Sequence, residues 1–527
     1  MSRSASLISL PLSFCLIAAC GGDGKGNDEV GESSGIETSV GTSSSDETNS
    51  SVGDTGSDSD STATTDPDAS SSDSSDDGVK FDLPFIPDSG GGPVLPTIPE
   101  TCDQALMIES TVGCSFHANK MQNFIEEPTS LVVGNVSPDN PATLQLYFGT
   151  PGGGEQAVGG AVMVAPGGTS EFVLNMPGQP GDVSVLRDGG AYRVESDRPV
   201  VAYQHSPISA QAHNDSSMLI PDHALGQNYI VAAWSTNIGN DYSYFNVVGV
   251  HDGTSVTWEP RNATAAGAGV PAVAGFASAM VMIDAYDMLQ VTSTSDVSGT
   301  IISTSEPAWV VGAVPCVNIP ANVTYCDHIE ELMLPLEYWG EQYVAAHAPQ
   351  RGSEDYWWRI YSGADALTIT TNPPQPGTPA VLDRGQFIEF STQQSFMVSA
   401  DGPFLPVQYL EGQDGGAGTG DPASYQMVPT EQFLPRYVFV TGTGYDQNYV
   451  QITRPQGGAD VLVDGVLVTG YYAVGQFEVA DWSINQGAHL AESDDPFGVI
   501  QVGYTPVTSY AYPGGLRLAK INPNPEG

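Results

Sequence analysis

Histidines and neighbouring acidic residues are the side chains of this chain that could do acid–base or metal chemistry. Asp222-His223 and Asp327-His328 are adjacent pairs, and His205, His213 and Asp215 lie within eleven residues. A histidine beside a carboxylate can act as a general base or as a metal ligand. The cluster of His205, His213 and Asp215 is therefore the best candidate for an exported hydrolase.

Specific catalytic motifs do not support that candidate. The sequence contains neither the H-E-x-x-H pattern of zinc proteases nor the G-x-x-x-x-G-K-[ST] phosphate loop. The chain also contains an internal repeat in which each segment has a proline at the same place. The two Asp-His pairs lie at different distances from these prolines, so they do not occupy equivalent positions. We therefore predict no catalytic residue and no metal site, and we interpret the histidine cluster as a polar loop.

Aromatic residues suggest a binding role instead. Tyr356, Trp357 and Trp358 are consecutive in a predicted strand, where neighbouring side chains point to opposite faces. At least one ring must face away from the core of its sheet and could contact a protein or a glycan. The alternative, which we favour, is that a neighbouring repeat or a loop covers this ring.

A repeated segment organises the elements that would position these residues. Met218 to Tyr229 (MLIPDHALGQNY), Leu332 to Tyr343 (LMLPLEYWGEQY) and Gln426 to Tyr437 (QMVPTEQFLPRY) each place a tyrosine eight residues after a proline. We call these segments the joints. A second marker, an acidic residue and a proline that open an apolar strand, has its prolines 108, 96 and 93 residues apart. The prolines of this marker are Pro199, Pro307, Pro403 and Pro496.

These markers divide the chain into about four similar modules. Segments such as Tyr449 to Arg454 alternate at period two, Asp464-Gly465 is a hairpin turn signal, and long amphipathic helical patterns are lacking. We predict an all-β fold of tandem immunoglobulin-like sandwiches, with a β-propeller as the alternative. The predicted modules span residues 101–228, 229–342, 343–436 and 437–527.

The amino-terminal region predicts export. Residues 1–20 combine an arginine, a short apolar run and the ending Leu-Ile-Ala-Ala-Cys, which resembles a bacterial lipobox with Cys20 as the lipidated residue. Residues 21–100 form an acidic tether rich in Ser, Thr, Gly and Asp that ends in a proline-rich linker. This composition cannot bury enough apolar surface to fold, so the tether is predicted to be disordered. We expect a lipid anchor in the cell envelope, at the outer membrane or cell surface.

Charge limits the possible partners. The net charge is −47, from 62 acidic residues against 15 basic ones, and no basic stripe occurs. Nucleic acid is therefore excluded as a partner, and membrane contact is expected through the lipid anchor alone. Carboxylates near Asp401 and Asp494-Asp495 could bind calcium between modules.

The four cysteines that follow Cys20 in the sequence form two local pairs. Cys102 and Cys114 are twelve residues apart, and Cys316 and Cys326 are ten apart. Because an exported chain is oxidised, we predict two disulfides. A zinc site is the alternative, but neither pair has C-x-x-C spacing.

A family resemblance adds to this interpretation. Arg198 to Tyr203 (RPVVAY), followed by Ser217 to Ile230 (SMLIPDHALGQNYI), resembles the N-terminal domain family of IgGFc-binding proteins, and Glu306 to Val311 with Trp339 to Val344 fits the same pattern. Bacterial lipoproteins with this domain are typical of myxobacteria. The resemblance implies a surface β-protein that binds a protein or glycan at the cell surface or in the extracellular matrix. It supplies no Fc-contact residue, and a purely structural envelope spacer fits the same features.

Overall fold

The computed structural model describes residues 98–124, 128–175, 181–207, 212–239 and 241–526. The predicted leader, Cys20 and nearly all of the predicted tether lie outside the described residues. The described residues all belong to one compact unit. No helix in the described ranges is long and apolar enough to cross a bilayer.

Antiparallel strands dominate the described chain, which confirms the all-β prediction. The first stretch contains α1 (Cys102–Ala105), β1 (Gly113–Ala118), β2 (Ser130–Asn135), β3 (Ala142–Gly149), β4 (Glu155–Val164), β5 (Thr169–Val173), β6 (Val185–Gly190), β7 (Tyr192–Ser206) and β8 (Asp215–Met218). The second contains β9 (Asn228–Ile230), β10 (Ser243–Gly249), β11 (Thr254–Glu259), β12 (Ala279–Ile283), β13 (Asp287–Ser293), β14 (Ile301–Thr304), β15 (Ala308–Val317) and β16 (Asp327–Leu332).

The second half of the described chain continues the pattern. The third stretch contains β17 (Gln342–Ala345), β18 (Tyr356–Ser362), β19 (Leu367–Asn372), β20 (Ala380–Leu382), β21 (Phe387–Thr392), β22 (Phe396–Ala400), β23 (Phe404–Leu410) and β24 (Ser424–Gln426). The fourth contains β25 (Leu434–Val440), β26 (Gln447–Pro455), β27 (Leu462–Val463), β28 (Val466–Leu467), β29 (Tyr472–Val474), β30 (Phe477–Ile484), β31 (Ala488–Tyr504) and β32 (Ser509–Pro513). Short 3₁₀ turns occupy Asp222–Ala224, Leu336–Tyr338, Gln413–Gly415 and Thr430–Gln432.

One strand order recurs along the described chain. The second stretch pairs its strands as β9-β14-β11-β12 and β13-β10-β15-β16, and the third as β17-β22-β19-β20 and β21-β18-β23-β24. In the first and fourth stretches a single long strand replaces two. The first half of β7 pairs with β1 and β3, and its second half pairs with β2 and β8. β31 divides its pairing in the same way.

The first two stretches are not separate along the chain. β6 lies within the predicted module of residues 101–228, but it pairs with β13 of the second stretch. It thereby extends the sheet β16-β15-β10-β13 by one strand. Because β6 pairs with a strand of the second stretch, backbone hydrogen bonds connect the two stretches.

The two sequence markers meet at each joint. The Tyr229 hydroxyl accepts a hydrogen bond from the Gly226 amide (2.9 Å) and donates to the Ala308 carbonyl (2.6 Å), just after Pro307. Tyr343 repeats this with Gly340 (3.0 Å) and Phe404 (2.6 Å). Tyr437 bonds the Leu434 amide and the Phe497 carbonyl in the same way. The tyrosine of each joint therefore holds the strand opened by the acidic-proline marker.

Successive joints also pack on one another. A Cβ atom placed on Gly226 would lie 2.4 Å from the Pro335 Cβ, and one on Gly340 would lie 2.5 Å from the Pro429 Cβ. Only glycine allows the backbone to approach so closely. The prolines of the second and third joints thus pack against the glycine of the preceding joint.

Replacing Tyr343 with phenylalanine is expected to lower the free energy of unfolding by about 1–3 kcal/mol. The substitution keeps the buried ring but leaves the Gly340 amide and the Phe404 carbonyl without their partner. Urea unfolding would measure the loss. Tyr449→Phe is the control, because the Tyr449 hydroxyl bonds Gln447 at an exposed position and should cost little. Equal losses in both variants would contradict the role of the joint tyrosine.

The last strands of the four stretches meet at a common centre. β8 contacts β16 and β32, and β24 contacts the same two strands, so the four form a closed circuit. All four strands are buried along their whole length. We call them the closing strands.

Carboxyl groups are buried where the closing strands meet. Asp215, Asp327 and Glu331 are at most 2% exposed. Burial raises the pKa of each well above its ordinary value, and neighbouring carboxylates add to the rise. Burial likewise raises the pKa of Asp421, just before β24, to about 7, although the Gln413 amide opposes the shift.

These raised pKa values predict that stability falls as the pH rises from about 4 to about 7. In that window the folded protein keeps a proton on Asp421 that the unfolded chain releases, which costs up to about 1.4 kcal/mol per pH unit for this group. Melting temperatures at pH 4.5, 6 and 7.5 would test this. Asp421→Asn should flatten the slope, whereas Glu306→Gln, at an exposed position, should leave it unchanged. Parallel slopes for both variants would contradict the prediction.

Candidate binding site

The structure gives His205, His213 and Asp215 separate partners. His205 Nδ1 lies 2.5 Å from the Ser216 hydroxyl oxygen, and burial lowers the pKa of His205 to about 4. His213 Nδ1 bonds the Cys326 carbonyl at 3.1 Å. Asp215 accepts hydrogen bonds from backbone amides of three strands. His205 and Asp215 are buried on β7 and β8, His213 is partly exposed, and the three side chains do not form a triad.

Both predicted disulfides are present, Cys102–Cys114 and Cys316–Cys326. Within the described residues, His213, Cys316 and Cys326 form the only group of three or more His, Cys or acidic residues close enough together to share a metal ion. Both of these cysteines are in the disulfide, so they offer no thiolate to a metal.

The acidic residues proposed for calcium have structural contacts of their own. Asp401 accepts a hydrogen bond from the Thr368 amide at 2.8 Å, and Asp495 accepts one from the Ala459 amide at 3.2 Å. Each bond lies within one stretch and links a turn to a neighbouring segment. Calcium between modules stays a prediction.

Two of the three candidate aromatic residues are inside the protein. Tyr356 is 2% exposed and Trp358 is fully buried, so neither ring can reach a ligand from the surface. Trp357 is partly buried and meets the edge of Trp234, with ring centroids 6.1 Å apart. Trp234 of the second stretch therefore covers part of the outward Trp357 ring. Of the three predicted ligand-binding residues, Trp357 alone stays a candidate, because its ring is only partly buried.

Sequence patterns did not reveal the exposed apolar surface of the protein. Within the described residues, β4, β12, β20 and β28 are the last strands of their sheets at equivalent places in the recurring order. We call them the edge strands. Each carries apolar side chains at the surface: Val162 and Met163 on β4, Met280 and Met282 on β12, Val381 on β20, and Val466 and Leu467 on β28. Exposed apolar residues on a strand with one free edge offer a surface to which another molecule can bind.

A cavity of about 680 Å³ lies where β1, β4 and β7 meet two turns of the second stretch. On one wall, Asp222 accepts hydrogen bonds from the Ser115 hydroxyl and from His117 Nδ1, the latter at 2.8 Å. Ser115 is bonded to Asp222, not to His117, so it is not paired with a base as a serine nucleophile would be. We call this pocket the Asp222 cavity.

Arg193 also lines the Asp222 cavity. Its guanidinium binds Glu155 with two nitrogens, at 2.9 and 3.1 Å, and also donates to the Tyr286 hydroxyl (2.8 Å) and the Ser115 hydroxyl (3.2 Å). The Tyr286 hydroxyl in turn donates to Glu155. Each of the three guanidinium nitrogens of Arg193 therefore has a hydrogen-bond partner.

The pKa values around the cavity follow from these bonds. Burial alone would raise the pKa of Asp222, but the neighbouring His117 and the hydrogen bond from Ser115 lower it overall. Burial also opposes the charge on Glu155, whose pKa is nevertheless lowered by hydrogen bonds from Arg193 and Tyr286. Both carboxylates are thus ionised at neutral pH. The pKa of His223 is lowered by burial, against the charge of Asp222.

A family model described as "IgGFc binding protein" matches residues 215–503, which is more than half of the chain. The chain belongs to the IgGFc-binding protein family. Among curated proteins, the IgGFc-binding protein of Homo sapiens is 24% identical over 347 residues, which cover 62% of this chain and 6% of the human protein. The chain therefore spans only a small part of that relative.

The region matched to the IgGFc-binding family begins and ends close to strand boundaries. It begins at Asp215, the first residue of the first closing strand, and ends one residue before the end of β31. It includes three edge strands, and it includes Asp222 and Tyr286 of the cavity but not His117 or Arg193. The lining of the cavity thus combines residues inside the family match with residues outside it.

Proposed function

We propose that this protein is a non-catalytic, lipid-anchored surface protein that binds a protein or a glycan through its edge strands. The anchor at Cys20 and the acidic tether would hold four immunoglobulin-like modules away from the outer membrane or cell surface. Membership in the IgGFc-binding family supports a binding role with a protein partner. The human relative is named for IgG Fc, and Fc is one partner to test.

The observation that carries the proposal is the repeated exposure of apolar side chains on the edge strands. Met163 is 73% exposed, Met280 is 56% exposed and Val381 is 68% exposed, each on the last strand of its sheet. Several weak contacts of one kind on one rigid unit can act together, so binding at two or more edge strands would be far tighter than binding at one.

The test is saturable binding of the purified protein to envelope fractions, matrix polysaccharide, secreted proteins and IgG Fc. A variant with Met163, Met280, Val381 and Leu467 each changed to threonine should lose at least tenfold in apparent affinity. A matched control changes Val183 and Val507, which are exposed but lie outside the edge strands, to threonine and should bind normally. Unchanged binding by the edge-strand variant would contradict the proposed surface.

Two other functions make different predictions in the same experiment. A structural envelope spacer would show no saturable partner with any material. A hydrolase would turn over a glycoside, ester or peptide substrate, and His213→Ala would abolish that activity.

A further inference from the structure

His117 is the residue of the Asp222 cavity with an unused bonding position. The side chain is 3% exposed, and its Nε2 has no hydrogen-bond partner within the described residues. In the neutral imidazole, the Nδ1–H group donates to the Asp222 carboxylate at 2.8 Å, and Nε2 is then the acceptor. A buried acceptor without a donor is costly, so this position suits a ligand that brings an N–H or O–H group.

The charges around the cavity select the sign of that ligand. Asp222, Glu155 and Asp252 line the cavity together with one arginine, Arg193, and three histidines. Each nitrogen of the Arg193 guanidinium already bonds Glu155, Tyr286 or Ser115, so the group is not open to bidentate binding of an anion. The carboxylates outnumber the arginine, which favours a cation and disfavours phosphate, sulfate or carboxylate groups.

Tyr286 adds an aromatic wall in a strained conformation. Its φ angle is +69°, which is rare for a bulky residue and typical of positions held by their surroundings. A Cβ atom placed on Gly149 would lie only 2.1 Å from the Tyr286 Cβ, so residue 149 must be glycine for Tyr286 to occupy this position. The ring centroid is 5.2 Å from that of His117. An aromatic ring beside carboxylates is a favourable place for a guanidinium or ammonium group.

We propose that the Asp222 cavity binds a guanidinium or ammonium group, with an N–H donated to His117 Nε2 and the positive charge balanced by Asp222 and Asp252. The cavity includes Glu155 at the start of β4, but none of the exposed apolar residues of the edge strands lines it. The cation could belong to a small free molecule or to an arginine or lysine side chain of a partner protein.

Calorimetric titration of the whole protein with four probes tests the proposal. Agmatine represents a free cation and acetyl-Gly-Gly-Arg-Gly-Gly-amide represents a side chain within a protein. The same peptide with citrulline in place of arginine is the neutral control, and acetate is the anion control. Binding of agmatine alone would identify a small-molecule site, and binding of both cations would admit a protein partner. The citrulline peptide and acetate should not bind.

Two variants locate the binding and keep the test valid if one of them folds poorly. His117→Phe keeps a ring but removes the acceptor nitrogen, and it should abolish agmatine binding. Asp252→Asn changes an exposed residue and should weaken agmatine binding roughly fivefold to tenfold, in line with the loss of one nearby charge. Glu306→Gln removes an equal charge from outside the cavity lining and should have no effect. Equal binding of arginine and citrulline peptides, no binding of either cation, or unchanged binding in both cavity variants would overturn the proposal.

Discussion

Replacing Arg359 with methionine is expected to lower the free energy of unfolding by about 3–5 kcal/mol. Arg359 is 2% exposed and lies on β18 of the third stretch. Its guanidinium donates to the Ala233 carbonyl (2.8 Å) and to Asp296 (2.9 Å), both in the second stretch. It therefore joins two parts of the protein that are far apart in the sequence.

The size of the expected loss follows from what Arg359 leaves behind. Its removal strands the Asp296 carboxylate, which is 13% exposed, and the Ala233 carbonyl in a dry environment. The guanidinium also lies over the Trp234 ring at 3.9 Å, so stacking is lost as well. Lysine cannot form the same planar fork, and Arg359→Lys should lose a substantial part of the same stability.

Urea unfolding followed by tryptophan fluorescence would measure the effect of Arg359→Met. Arg436→Met is the matched control, because Arg436 is about a third exposed and lies 3.7 Å from Glu492 at the surface. Such a pair contributes at most about 1 kcal/mol. A loss for Arg359→Met as small as that of the control would show that Arg359 does not hold the two stretches together.

Replacing Asp215 with alanine is expected to cost about 3 kcal/mol or more. Asp215 Oδ2 accepts hydrogen bonds from the Ser424 amide (2.9 Å) and the Glu330 amide (3.2 Å), and Oδ1 accepts from the Ser216 amide (2.9 Å). One carboxyl group therefore connects three closing strands. Alanine would leave these buried donors unpaired at the centre of the protein.

Asp215→Asn keeps the size of the side chain and removes only part of its capacity to accept hydrogen bonds. Asparagine keeps one acceptor oxygen but presents N–H groups to some of the same donors, so we expect an intermediate loss. Ser217→Ala is the control on the same strand, since Ser217 Oγ accepts a single bond from the Leu332 amide at 3.1 Å. An Asp215→Ala variant no less stable than Ser217→Ala would rule out this central role. Thermal and urea unfolding at fixed pH would give the comparison.

The repeat could be predicted because its signals are local. Pro221 and Tyr229, or Pro335 and Tyr343, are eight residues apart, and proline restricts the backbone angles while glycine permits turns that other residues avoid. The structure then showed why the two markers travel together: the joint tyrosine bonds the strand that follows the acidic-proline marker. The strand content and the two short-range disulfides were predictable for the same reason.

The candidate site was not predictable, since its parts come from distant places. Asp222 was noticed beside His223, but its partners are His117 and Ser115, more than 100 residues earlier. The exposed methionines of β12 alternate along the strand, as a half-buried strand would, and nothing local identifies the strand as the end of its sheet.

The sequence by itself determined the all-β character, the recurring joints and the cysteine pairing, because turn residues, strand alternation and short covalent loops act within a few residues. Tertiary structure alone decided which polar side chains became the centre of the protein. Asp215 reaches Ser424 across 209 residues, and Arg359 reaches Ala233 across 126. A polar residue on a strand is compatible with the surface or with a buried network, and only the partners brought to it by folding distinguish the two.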